Sequence, residues 1–285
     1  MKSQTTPCLA SPPNWVGKQI QIAPGQLMDV RFYGGRQGSD VSPLVLHFHG
    51  GAFVGGSLET GACVAGLLTH AGAVVVSLDY PLAPAHPFPA AVEAGYAALL
   101  WAVKARNKLA GHGAPIFLAG EEAGGNLAAA VALVARDRQG PALAGQILLS
   151  PMLDPCLATA SLRNAEAGPV GCIWADGWRQ YLARLEDTGH PYASPGTVSR
   201  LTGLPPTLLV TAEDDPLHDE ALAYTARLRA AGLLAHDAVL PAPTGWPCSY
   251  LKPANRQAPW APTLRQQLSD FLSGGALASA VKPAA

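Results

Sequence analysis

Residues 117–126 read FLAGEEAGGN and hold the most informative pattern in the chain. The apolar residues at the start of this segment favour a strand, and the alanine-rich stretch NLAAAVALVAR, residues 126–136, favours a helix. The glycines between them favour a sharp turn. The turn has the frame G-x-E-x-G, with Glu122 between Gly120 and Gly124. In the related frame G-x-S-x-G, the central serine is a nucleophile presented at a strand-to-helix turn.

The same alternation of apolar runs and alanine-rich stretches extends along the chain. Buried strands separated by helices are typical of a parallel sheet that is covered on both faces. We therefore expect a single α/β domain over residues 1–285, with a mostly parallel central sheet. The predicted strands are 44–48, 74–78, 116–118, 147–149, 207–210 and 238–240, and the predicted helices are 90–108, 124–138, 219–231 and 262–272.

Composition excludes several classes of protein. The net charge is −1 over 285 residues and no basic stripe is present, so we expect no nucleic-acid binding. Five scattered cysteines without C-x-x-C spacing favour neither a disulfide framework nor a metal site. No apolar run approaches the ~18 residues of a membrane span, and the first residues lack the apolar core of a signal peptide. We expect a cytoplasmic protein that does not bind membranes.

Two segments interrupt the strand–helix rhythm. Residues 155–200 contain Trp174, Trp178 and Tyr181 but no clear strand, and we predict that they form a helical lid over the sheet. The three aromatic residues are spaced i, i+4 and i+7, which places them on one face of a helix. They either contact a ligand or pack the lid. Residues 273–285 are small or polar, and we expect a disordered tail.

Three further motifs follow predicted strands. They are HFHGGAF at 47–53, AEDDPLHDE at 212–220 and GWPCSY at 245–250. The glycines of the first motif would let backbone N–H groups approach a ligand oxygen closely. The second motif carries Asp215 directly after a strand.

The chain resembles the hormone-sensitive-lipase family of α/β-hydrolases, in its bacterial carboxylesterase branch. The resemblance rests on five blocks in family order: HGGAF (49–53), DYPLAPAHPFPAAVE (79–93), AGEEAGGNLAAAVAL (119–133), PYASP (191–195) and LPPTLLVTAEDDPLHDE (204–220). It implies the α/β-hydrolase fold and a catalytic triad in the order Ser, Asp, His. Here Glu122 stands where the serine belongs, and Asp215 matches the acid. Cys248 stands at the histidine position when Gly245 and Tyr250 are aligned with the family pattern.

The resemblance also implies the oxyanion-hole donors, which would be Gly50, Gly51 and Ala123. The candidate substrate-binding residues are Phe53, Trp174, Trp178, Tyr181 and Trp246. The expected partner is a hydrophobic small molecule, and neither a metal nor an organic cofactor is implied. Members of the family often dimerise, so a homodimer is an option.

The role of Glu122 stays open between two geometries. Its carboxylate either turns into the oxyanion hole and leaves an inert site, or points into the pocket as a base. Three functions follow. We place first an enzyme that uses Glu122 for acid–base chemistry on a hydrophobic carbonyl compound, as a cyclase, isomerase or lyase does. The second is a non-catalytic binder or receptor, and the third is a weak ester hydrolase with water activated by Glu122.

The simpler roles of the other candidates also stay open. Asp215 is either the inherited acid or a cap for the helix that begins near residue 219. Cys248 either lines the pocket or is a small buried filler. Gly50 and Gly51 are either oxyanion donors or glycines that a turn requires.

Overall fold

The computed structural model of the protein describes residues 14–35, 40–166, 171–252 and 257–274. One sheet organises these residues, with the strand order β1-β2-β4-β3-β5-β6-β7-β8. β2 pairs antiparallel with both β1 and β4, and every other neighbouring pair is parallel. The strands are β1 Trp15–Ala23, β2 Gln26–Tyr33, β3 Leu44–Phe48, β4 Val74–Leu78, β5 Ile116–Glu121, β6 Gly145–Leu149, β7 Thr207–Ala212 and β8 Ala235–Leu240.

Helices cover both faces of the sheet. They are α1 Ala62–His70, α2 Ala90–Leu109, α3 Ala123–Asp137, α4 Ala160–Glu166, α5 Gly171–Tyr181, α6 His218–Ala230 and α7 Ala261–Leu272. One hydrophobic core lies between the sheet and α2, α3 and α6, and the other lies under α1 and α7. Side chains of β3 alternate between the two, since Leu44 and Leu46 face the first core and Val45 faces the second. A strand buried on both faces needs apolar residues throughout, which explains the continuous apolar runs.

The predicted mostly parallel sheet with helices on both faces is confirmed. The six predicted strands and four predicted helices all form, with ends shifted by three residues or fewer. The hairpin of β1 and β2 was missed because β1 is an edge strand with mostly exposed residues, so it lacks a continuous apolar run. Helix α1 was missed because it follows a glycine-rich loop and is only nine residues long.

Residues 155–200, called the lid segment after their predicted role, lie between β6 and β7 in the chain. It contains α4, α5 and two short 3-10 turns at Leu185–Gly189 and Pro195–Thr197. The larger part of the predicted tail, residues 275–285, lies outside the described residues. Among the described helices, none is long and apolar enough to cross a membrane. Within the described ranges, no group of three or more His, Cys, Asp or Glu residues could hold a metal ion.

Parallel pairing brings the sequence motifs together at one edge of the sheet. β3 lies beside β5, with Phe48 opposite Gly120, so the loop after β3 faces the turn after β5. β6 and β7 continue the sheet on the other side of β5. The carboxyl ends of parallel strands form the usual ligand-binding edge of such sheets. Residues near 50, 122, 150 and 215 therefore meet at that edge.

Candidate active site

Glu122 occupies the sharp turn between β5 and α3. Its backbone has φ 54° and ψ −116°, a conformation that costs free energy in a residue other than glycine. Neighbouring segments hold it, because Glu122 N donates to Leu149 O at 2.9 Å and Glu122 O accepts from Met152 N at 3.0 Å. Gly124 is required nearby, since a Cβ there would overlap the backbone oxygen of Phe48. The turn therefore presents the side chain of residue 122 above the end of the sheet.

The Glu122 carboxylate accepts three hydrogen bonds. Oε2 lies 2.6 Å from Gly51 N and 3.2 Å from Ala52 N, and Oε1 lies 2.5 Å from the Trp174 indole nitrogen. The side chain is buried, and burial raises its pKa, although the three donors act in the opposite direction. The negative charge of Glu121 raises the pKa further. The carboxylate thus adopts the first of the two predicted geometries, turned toward the backbone donors.

Residues 49–53, called the oxyanion loop after their predicted role, donate to two different carboxylates. Gly51 and Ala52 donate to Glu122, whereas Gly50 N donates to Glu121 Oε1 at 3.2 Å. The positive φ values of Gly51 (133°), Ala52 (50°) and Phe53 (66°) turn the loop back on itself. The backbone N–H groups that contact residue 122 are therefore those of Gly51 and Ala52. The oxyanion-hole roles of Gly50, Gly51 and Ala123, the last at the first residue of α3, stay predictions.

A second buried carboxylate lies behind the first and was missed. Glu121 Oε2 is 2.7 Å from His47 Nε2, and His47 Nδ1 is 2.9 Å from the Ser77 hydroxyl. All three side chains are fully buried. This chain of contacts links β5, β3 and β4 and ends on the oxyanion loop at Gly50. Each residue looks ordinary in its own strand, and only the pairing of the strands brings the three together.

Asp215 also lies at the sheet edge, with its oxygens occupied. Oδ2 accepts from the Ser150 hydroxyl at 2.5 Å and from the Thr211 hydroxyl at 2.7 Å, and Oδ1 accepts from Leu217 N at 2.9 Å. Burial raises its pKa, and these donors oppose the effect. The bond to Leu217 N, at the start of α6, fits the capping alternative. The bond to Ser150 places a hydroxyl beside the acid, at a site that the sequence reasoning had not identified.

Cys248 is exposed, in the turns that follow β8. Partial burial raises the pKa of its thiol, and the negative charge of Glu122 acts in the same direction. A thiol with a raised pKa is a poor base and a poor nucleophile at neutral pH. The exposure contradicts the alternative that Cys248 is a small buried filler.

Trp246 lies in the hydrophobic core under α1 and α7, and not beside the lid. Its ring packs edge-on against Tyr250 at 4.9 Å and Trp260 at 5.4 Å between ring centroids. The ring of Trp246 therefore takes part in core packing, and its substrate-binding role stays a prediction.

The lid aromatics share one buried face of α5, as their spacing predicts. Trp174, Trp178 and Tyr181 are each 3% exposed or less. Phe53 of the oxyanion loop stacks on Tyr181, with ring centroids 4.0 Å apart and planes within 5°, and it also contacts Trp178 at 4.8 Å. Gly177 lies so close to the backbone oxygen of Ala52 that a Cβ would overlap it. Helix α5 thus packs closely on the oxyanion loop.

A mostly parallel sheet, a strand–turn–helix elbow and a glycine loop facing it define a protein of the α/β-hydrolase class. A family profile described as alpha/beta hydrolase fold matches residues 45–240. The chain therefore belongs to the hormone-sensitive-lipase-like family of this class. The predicted family and fold are thereby confirmed.

Relatives and solved structures carry esterase and receptor names. The chain is 38% identical over 198 residues to the esterase LipI of Mycobacterium tuberculosis, covering 67% of this chain and 61% of that protein. It is 34% identical over 209 residues to the gibberellin receptor GID1B of Arabidopsis thaliana, covering 68% and 57%. A hyperthermophilic esterase from the archaeon Pyrobaculum calidifontis superimposes with TM-score 0.80 at 35% identity, covering 92% and 86%. The aligned region thus spans about six-tenths of the length of LipI and of the gibberellin receptor.

Proposed function

We propose that this protein is a non-hydrolytic member of its family that binds an apolar small molecule without turning it over. The position of Glu122 Oε2, 2.6 Å from Gly51 N and 3.2 Å from Ala52 N, carries the proposal. An oxyanion hole holds the developing oxyanion at about 2.7–3.1 Å from its donors. Glu122 places an anionic oxygen of its own where a substrate oxyanion would be held, so the two N–H groups are already used.

The other catalytic requirements of an esterase support the same proposal. Hydrolysis through an acyl-enzyme needs a nucleophile and a base that removes and returns its proton. Residue 122 has no hydroxyl, and the thiol of Cys248 has a raised pKa. The Asp215 carboxylate is bonded to Ser150, Thr211 and Leu217. A water-activated route through Glu122 would also need the carboxylate to leave its three donors.

The binding part of the proposal rests on the aromatic surfaces beside Glu122. Phe53 and the buried face of α5 present apolar rings next to the oxyanion loop. A ligand that enters when α5 lifts would meet these rings and a single carboxylate. One relative on the same fold is named a receptor, so the scaffold is compatible with binding in place of hydrolysis.

A second candidate is the acid–base enzyme. The raised pKa of Glu122 favours it, because a buried carboxyl with a raised pKa is a stronger base than an exposed one. In that role Glu122 must swing away from Gly51 and Ala52, which would then be free to hold an enolate oxygen. Deuterium uptake at the α-carbons of cyclohexanone, faster with wild type than with Glu122→Ala, would favour this candidate over the binder.

Hydrolysis of p-nitrophenyl butyrate tests the absence of esterase activity. We expect wild type to match Glu122→Ala, since neither has a hydroxyl or thiol nucleophile at position 122 and the Glu122 carboxylate is held by its three donors. The double variant Glu122→Ser, Cys248→His restores both missing groups, and we expect it to exceed wild type by roughly 10²-fold or more, the usual contribution of a general base. Wild-type hydrolysis that is lost in Glu122→Ala would overturn the proposal and support the water-activated route.

Binding without turnover is tested separately with the same ester. We expect p-nitrophenyl butyrate to raise the melting temperature of wild type without release of p-nitrophenol, because binding to the native state alone stabilises it. Phe53→Ala removes a ring that packs against the lid, and we expect it to reduce the increase. An unchanged melting temperature at millimolar ester would contradict binding of apolar esters at this site.

A further inference from the structure

The Glu122 carboxylate joins three separate parts of the fold. Its backbone belongs to the turn after β5, its Oε2 accepts from the oxyanion loop, and its Oε1 accepts from Trp174 on α5. The indole of Trp174 is 52 residues from Glu122 in the chain and is almost fully buried. One side chain therefore connects the sheet edge, the loop and the lid helix.

The remaining contacts described between α5 and the oxyanion loop are apolar or steric. Phe53 packs on Trp178 and Tyr181, and Gly177 lies against the backbone oxygen of Ala52. Such contacts favour closure but are not strongly directional. The Trp174 indole N–H is directed at an anionic oxygen, and charge-assisted hydrogen bonds are about twice as strong as neutral ones. This bond fixes where α5 sits on the loop.

Opening the lid would leave the carboxylate short of a donor. Burial and the neighbouring Glu121 charge already disfavour the ionised form of Glu122, as its raised pKa reflects. Losing Trp174 would leave Oε1 without its donor in a buried setting, which is costly unless another donor replaces it. The lid can therefore open at low cost only when water or a ligand donates to Oε1.

We propose that Glu122 is a built-in carboxylate ligand that latches α5 onto the oxyanion loop and keeps the site closed. The latch contact is the Trp174 N–H on Oε1, and the site opens when a donor from water or a ligand replaces it. This inference builds on the proposed non-hydrolytic function by naming how access to the same site is controlled. Its test measures motion of α5 and not hydrolysis, so the two proposals fail independently.

Trp174 and Trp178 form a matched pair for the first test. Both are buried tryptophans on α5, but within the described ranges the Trp178 indole nitrogen has no hydrogen-bond partner. Trp174→Phe and Trp178→Phe remove the same atoms, and only the first removes the latch. In hydrogen–deuterium exchange at pH 7, we expect residues 171–181 to exchange about ten- to a hundredfold faster in Trp174→Phe, as loss of a hydrogen bond to a charged group implies. Equal exchange in the two variants overturns the proposal.

Chemical rescue forms the second test. Glu122→Ala leaves Gly51, Ala52 and Trp174 as three donors around an empty space that fits a small carboxylate. We expect the α5 amides of Glu122→Ala to exchange faster than in wild type, and sodium acetate to slow them again. Sodium chloride at equal ionic strength is the control. Acetate is also added to the double variant Glu122→Ala, Trp174→Phe, in which the space is empty but the third donor is missing, and we expect no slowing there. If acetate and chloride act alike on Glu122→Ala, the carboxylate is not the latch.

Discussion

Residues 122 and 215 each bury a carboxyl group by the same means. Glu122 accepts from two backbone N–H groups and an indole, and Asp215 accepts from two hydroxyls and a backbone N–H. All six donors are neutral, and burial raises the pKa of both groups. Neutral donors stabilise a buried charge less than a cation does, so each individual donor carries a large share of the stabilisation.

The variant Thr211→Val tests how much one neutral donor contributes to stabilising the buried Asp215 carboxylate. The variant keeps the shape of the side chain and removes the hydroxyl that lies 2.7 Å from Asp215 Oδ2. We expect a loss of about 1.5–3 kcal/mol in the free energy of unfolding, the range for a hydrogen bond to a charged group. Urea denaturation of purified protein measures it.

The matched control is Thr225→Val. Thr225 is equally buried, but its hydroxyl donates to a neutral acceptor, the Ala221 backbone oxygen, within α6. We expect this variant to lose less than about 1 kcal/mol, since that carbonyl also accepts within the helix. Equal losses in the two variants would show that the Asp215 charge does not depend on Thr211.

At the scale of elements, the close packing of α5 on the oxyanion loop depends on Gly177. Glycine inside a helix is unfavourable by about 0.5–1 kcal/mol relative to alanine. The structure accounts for it here, because a Cβ at residue 177 would overlap the Ala52 carbonyl oxygen. Gly177 lowers the stability of the helix but allows α5 to lie close to the oxyanion loop.

Gly177→Ala should therefore destabilise the closed lid despite its better helix propensity. We expect a lower melting temperature and faster exchange over residues 171–181, because α5 must move away from Ala52. Gly189→Ala is the control, since a Cβ there meets no atom within 4 Å. A melting temperature of Gly177→Ala at or above wild type would mean that α5 accommodates the methyl group without shifting.

Strands and helices were predicted correctly where a single local feature of the sequence, such as a continuous apolar run, identifies the element. Strands such as β3 and β4 are buried on both faces and show as continuous apolar runs. The edge strand β1 pairs on one side only and is mostly exposed, so its sequence carries no such run. The lid helix was predicted from the spacing of Trp174, Trp178 and Tyr181, but its contact with Glu122 was not. That contact depends on how far the lid closes, which local spacing does not encode.

At the scale of the whole molecule, His49 links stability to pH. Its ring stacks on Tyr80 with centroids 4.3 Å apart, and its Nδ1 lies 2.9 Å from Gly50 O. Burial lowers its pKa from 6.5 to about 4. A histidine that is neutral when folded and charged when unfolded stabilises the fold fully above pH 6.5, and this stabilisation is lost as the pH falls toward 4.

Acid unfolding of the variant His49→Gln tests whether His49 makes the protein less stable as the pH falls. Between pH 6.5 and 4, we expect wild type to lose about 3 kcal/mol more than the variant, because one pKa unit corresponds to about 1.4 kcal/mol. The raised pKa values of Glu122, Asp215 and Glu220 act in the opposite direction, since their contribution falls as the pH rises. Because both proteins contain these carboxyl groups, their contribution cancels in the difference between the two free energies of unfolding. If the two free energies change in parallel with pH, His49 is not the origin of the acid destabilisation.

Apolar runs, helix-forming stretches and the glycines of a sharp turn were sufficient to predict a mostly parallel α/β sheet and the turn at Glu122. The family and the hydrolase fold were predicted from the resemblance of five sequence blocks. Which N–H groups meet the carboxylate was settled only in three dimensions, by the pairing of β3 with β5 and the closure of α5. Hydrogen bonds act over about 3 Å, so the residues that share one become apparent only once distant segments are packed together.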